Sequence, residues 1–131
     1  MRKTALLLLV VIIAITALCF VGCNKNQNEV IITIDKKYDL SNGNTLEDYM
    51  EYLEEKGKLE FEEEDGMIIE INGIKNTLNS YWMLYTNDNA NSNSAWGTYE
   101  YKDQTFGSAT LGAESLIINK DYTYVWVYQT F

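Results

Sequence analysis

From Val30 onward the apolar residues of this chain recur at every second position, and only once at helical spacing. Leu46, Tyr49, Met50 and Leu53 fall at i, i+3, i+4 and i+7, one face of a helix. Thr45 precedes them and Asp48 follows Thr45 by three, a near capping box; Gly57 supplies the stop. Glu47, Glu51, Glu54 and Glu55 occupy the other faces. So short a helix is not stable alone and must dock its apolar stripe on a sheet. That requirement admits few architectures.

The sheet is read from period-two runs. Val30, Ile32 and Ile34 form a first strand, and 38–44 is a turn or loop. Leu59 and Phe61 alternate with Glu60 and Glu62, and Met67, Ile69 and Ile71 follow the hairpin signal Asp65-Gly66. Asn72-Gly73 is a second turn signal, and Tyr81 to Thr86 is a strand. A polar loop is expected over 87–97, a further strand at Tyr99 and Tyr101, and less regular chain over 103–115. Leu116–Ile118 suits a short strand, and 122–130 is the last. This order predicts α+β, with a single helix on a small, mainly antiparallel twisted sheet in a β-grasp-like arrangement.

The N-terminus reads differently. Met1-Arg2-Lys3 is cationic, Ala5 to Gly22 is an apolar run, and Cys23 closes it. Phe20-Val21-Gly22-Cys23 resembles a bacterial lipobox, in which cleavage precedes a cysteine whose sulfur carries a diacylglycerol. An uncleaved membrane anchor is the alternative, since about 18 apolar residues can span a bilayer. The expected division is a signal over 1–22, a polar tether over 23–28 lipidated at Cys23, and one domain over 29–131. That places the domain at the cell membrane, facing outside the cytoplasm.

Composition then excludes chemistries. The mature chain carries a net charge of about −11 once Arg2 and Lys3 are gone, which opposes nucleic acid and any basic-patch grip on anionic lipid. With Cys19 lost and Cys23 lipidated there is no disulfide, so stability rests on packing. No histidine is present, which removes His-zinc sites and Ser-His catalysis; no free thiol remains for a cysteine nucleophile.

What stands out is aromatic. Tyr122, Tyr124, Trp126 and Tyr128 share one side of the last strand; Thr123, Val125 and Val127 share the other. The aliphatic side is expected beneath the helix and the aromatic side on the opposite face, where a flat ligand or a protein could stack. Cross-strand shielding of the outer face is the plain alternative. In Tyr81-Trp82 one ring is expected in the core, and register decides which.

"GMIIEINGI" from Gly66, "SYWMLYTN" from Ser80 and "NKDYTYVWVY" from Asn119 follow the order that resembles transcobalamin-like C-terminal domains, a family of secreted bacterial lipoproteins. The resemblance covers roughly 29–131. It implies a domain that closes over one side of a corrin, with no cofactor held permanently and cobalamin as a ligand. It implies a ligand contact for Tyr81 and Trp82 and, more loosely, for Trp96, Tyr124 and Trp126. A helical domain that covers the other side of the corrin is not seen in this chain, so a partner such as a transporter or second exported protein would complete the clamp.

Three polar features have simpler readings. Asn87 to Ser94 alternates side-chain oxygens, with Glu100 beyond, but Ser94 stands where a calcium loop needs glycine; an Asx-rich loop is expected instead, and no metal. Glu60 to Asp65 reads as a solvated hairpin end, without a carboxylate pair for glycoside hydrolysis. Ala113-Glu114 after Gly112 reads as a short turn. The expected function is a non-enzymatic binding domain that captures a corrinoid or other flat ligand; the alternative is a protein-interaction module of an exported complex.

Overall fold

The computed structural model describes residues 28–131. The helix forms where its pattern lies: α1 spans Leu46–Glu55. Thr45 caps it, its hydroxyl accepting from the Asp48 N–H while the Asp48 carboxylate accepts from the Thr45 N–H. Two further N-terminal donors find carbonyls outside the helix, Leu46 N–H on Leu116 and Glu47 N–H on Ala113. The start of α1 is thereby sewn to the segment before the last strand, with none of these donors wasted.

Among the described residues there is this one α-helix and two antiparallel sheets. The larger holds β1 (Glu29–Thr33), β8 (Thr123–Thr130), β5 (Ser80–Thr86), β7 (Gln104–Ala109) and β6 (Ser92–Tyr101), in that spatial order. The smaller holds β2 (Phe61–Glu64), β3 (Met67–Ile71) and β4 (Ile74–Lys75). The architecture is therefore α+β, with the sheet divided rather than single. Asp65-Gly66 and Asn72-Gly73 make the two turns of the small sheet, all four residues at positive φ.

Several expectations need correction. The segment 87–97 is not one loop: a 3₁₀ turn at Asn89–Asn91 leads straight into β6, interrupted by a bulge between Asn93 and Thr98. The irregular stretch after Asp103 contains β7. Its turn from β6 is Lys102-Asp103, both at positive φ without glycine, so the hairpin signal was missing from the sequence. Leu116–Ile118 makes only a bridge from Ile117 to Thr45.

The main correction concerns the faces of β8. Tyr124 and Trp126 point toward α1 and the small sheet, with Trp82, Leu84, Ile32, Met50 and Leu116. Val125 and Val127 lie on the other face, in a smaller cluster with Tyr85 and Phe106, flanked by Met83, Tyr99 and Tyr101. The ring-bearing side is the core side. Large rings bury about 150–250 Å² each, more than valines do, and the deeper layer between sheet and helix rewards them most. The two tyrosine hydroxyls reach backbone at its margins: Tyr124 Oη accepts from Asn119 N–H at 2.9 Å, and Tyr128 Oη donates to the Lys75 carbonyl at 2.9 Å.

Replacing Lys102-Asp103 by Asn-Gly relieves two left-handed backbones and is expected to raise unfolding free energy by about 0.5–1 kcal/mol. Urea denaturation measures it; an unchanged or lower midpoint would show that the turn carries no such strain.

Candidate ligand-binding site

Three concavities are worth comparing by chemistry. A groove of about 320 Å³ is lined by Glu54, Glu60, Glu62 and Glu70 with Phe61 and Gly73, and is acidic. A second, about 370 Å³, runs between the outer edge of β1 and Tyr49, Tyr52 and Leu53 of α1. The third, about 300 Å³, is floored by Trp82 and Leu84 of β5 and Trp126 of β8. Only this one combines indole rings with aliphatic walls, the usual make-up of a small-molecule site.

The floor follows from register. Leu84 sits opposite Trp126 and Trp82 opposite Tyr128 across β5–β8, so both indoles fall on the same face. One wall is Gly66, Met67 and Ile68 from the β2–β3 hairpin; the other is Ala109 to Ala113, which leaves the end of β7. Met67 and Leu111 are exposed, giving the cleft an apolar rim. The walls meet closely at Gly66 and Gly112: a Cβ on Gly112 would lie 3.5 Å from the Gly66 carbonyl.

The two indoles differ in one respect. Trp82 Nε1 donates to the Ile74 carbonyl at 2.8 Å, which ties β5 to the small sheet. Trp126 is only 5 % exposed, and its Nε1 has no hydrogen-bond partner among the described residues. A buried unpaired donor costs about 1–3 kcal/mol.

Negative charge gathers beside the hairpin wall. The Glu63 carboxylate accepts from the Gly66 N–H, and Glu114 packs against Gly66. Burial holds the Glu47 carboxyl above its ordinary range, and Glu63, Glu51, Glu114 and Asp48 push it further the same way. An anionic ligand is disfavoured at this end of the cleft.

Of the five expected contact residues the structure unites two, Trp82 and Trp126. Tyr124 is fully buried in the core, and burial raises its phenol pKa. Tyr81 points to the opposite face, half-buried and stacked on Phe131 with centroids 4.7 Å apart. Trp96 rides on the β6 bulge, 64 % exposed and outside the cleft lining. The walls were missed: Met67, Leu111 and the two glycines look like ordinary hairpin and loop residues, and only the positions of Gly66 and Gly112 hint at a close approach. Cys23 and the whole segment 1–22 lie outside the described residues.

The Asx-rich loop is used internally. Asp88 Oδ1 accepts from Ala90 N–H at 3.1 Å and Oδ2 from Asn91 Nδ2 at 2.8 Å, which shapes the 3₁₀ turn. Among the described residues, no group of three or more acidic or cysteine side chains is placed to hold a metal ion. No described helix is long and apolar enough to cross a membrane. Comparison with protein-family models, curated proteins and solved structures finds no match to this chain.

Two outcomes test the site's physics. Trp126→Phe is expected to cost about 1–2 kcal/mol less than Trp82→Phe, because it sheds an unpartnered donor while Trp82→Phe strands the Ile74 carbonyl; equal losses by urea denaturation would contradict this. Glu47→Gln is expected to raise the melting temperature at neutral pH. A carboxyl whose pKa rises on folding weakens the fold above that pKa, and the penalty fades as pH falls through it toward the unfolded value. The gain should therefore vanish in acid, and a gain that persists there would mean the charge is not its source.

Proposed function

We propose that this chain is a lipid-anchored, extracytoplasmic, non-enzymatic binding domain whose cleft takes a flat, partly apolar ligand. The observation that carries the reading is an indole-floored cleft with an apolar rim, in which Trp82, Leu84 and Trp126 share one face between two walls. The ligand is neutral or cationic, because Glu63 and Glu114 flank the hairpin wall. Its plane lies against the Trp82–Trp126 floor.

A corrinoid is the best single class, and the transcobalamin-like resemblance is its main support. The single helix after β1, packed on one face of an antiparallel sheet, favours the β-grasp-like reading that goes with it. A cleft of about 300 Å³ admits the edge of a corrin and not the whole macrocycle. A partner, such as a transporter component, would then cover the rest. Cys23 holds the domain at the membrane through its lipid.

A second reading is favoured by one feature. β1 is an edge strand with β8 on one side only, and its outer edge borders the 370 Å³ groove against α1. An extended segment of another exported protein could add there as a strand.

Titration of the 24–131 fragment with cobalamin, with tryptophan emission corrected for absorbance, tests the first reading. Saturable quenching is expected, and Leu111→Asp should weaken it by about tenfold, a cost of about 1.4 kcal/mol, without unfolding the domain. No saturation at high micromolar ligand, or wild-type affinity in Leu111→Asp, would reject the cleft as the corrinoid site.

A further inference from the structure

The exposed apolar residues are not all at the cleft. Leu78 is 94 % exposed and Phe131 68 %. They belong to one end of the larger sheet: Ser80 pairs with Thr130, and the Phe131 N–H donates to Asn79, next to Leu78. Tyr81 stacks on Phe131 at an interplanar angle of 16° and supports it from behind. The chain enters the domain at this same end, since the Asn28 carbonyl accepts from the Tyr128 N–H.

Charge singles out this end too. Asn76 to Asn87 and Tyr122 to Phe131 contain no charged side chain, in a chain of net charge −9. The tip is built from these two stretches, so it can approach headgroups without the repulsion the acidic helix and hairpin would meet.

Length supplies the remaining constraint. Five peptide steps separate Cys23 from Asn28 and, however extended, span at most about 17–18 Å. The Lys102-Asp103 turn lies at the opposite end of the sheet, about 30 Å away at the usual rise of a strand. Such a tether cannot let that far end be the one that rests on the bilayer. The Leu78–Phe131 end is held near the surface instead.

We infer that Leu78 and Phe131, backed by Tyr81, form a tip that dips into the lipid interface and sets how the domain stands on the membrane. The inference rests on lipidation of Cys23, which supplies attachment; the tip supplies orientation, a second contact of the kind peripheral proteins combine with a lipid chain. It places the Lys102-Asp103 turn farthest from the bilayer.

The test uses the full, lipidated chain in neutral phosphatidylcholine vesicles, with Leu78→Cys or Lys102→Cys labelled by an environment-sensitive fluorophore. Cys19 leaves with the signal and Cys23 is acylated, so each variant offers one thiol. Flotation with the vesicles is scored first, then quenching by a lipid-borne nitroxide. A label at 78, within the outer 5–10 Å of the interface, should lose about half its emission, and one at 102 almost none. Flotation with no quenching at 78, or equal quenching at both positions, overturns the tip while the anchor stands. Failure to float overturns the anchor and the tip with it.

Discussion

The direction in which β8 faces decides the rest of this structure. Its two sides both carry apolar residues, and the side with the rings turns toward α1 and the small sheet. That choice places Trp126 beside Leu84 and Trp82 one pair away, and so creates the indole floor. It also leaves the valine side to be covered from within the sheet. Tyr85 and Phe106 pack over Val125 and Val127, and Tyr85 Oη donates to Gln129 at 2.6 Å.

The cleft is a consequence of the divided sheet. β2–β4 forms a separate layer, tied to the larger sheet by Trp82 Nε1 on Ile74, Tyr128 Oη on Lys75 and Asn76 Oδ1 beneath the Trp82 N–H. The 109–113 segment is tied to the other side through α1, by the Ala113 and Leu116 carbonyls. Two walls anchored on different elements stand over one floor. The Trp126 indole in that floor keeps its N–H buried and unpaired. Among the described residues no other buried side-chain donor or acceptor lacks a partner, so that omission is a cost peculiar to this indole.

Much of this was legible in the sequence and some was not, for identifiable reasons. α1 was readable because its cap, its stripe and its terminal glycine agree. The Asp65-Gly66 and Asn72-Gly73 turns were readable because positive φ calls for such residues. Lys102-Asp103 does the same job without the signature, so β7 was lost. Alternation in β8 showed which residues share a side but not which side lies inward; that depends on what packs above, which period-two pattern does not carry. Trp126 was therefore expected on the wrong side and the orientation of Trp82 was left open, while the walls, contributed by residues 13 or more positions away from either indole, had no signal of their own.

The central claim is that the ring side of β8 is interior. Hydrogen exchange of the three indole N–H groups, followed by heteronuclear NMR, addresses it directly. Trp96 should exchange fast, while Trp82 and Trp126 should be strongly protected, Trp82 through its bond to Ile74 and Trp126 through burial alone. A Trp126 indole that exchanges as freely as Trp96 would mean that the strand faces the other way and that no such floor exists.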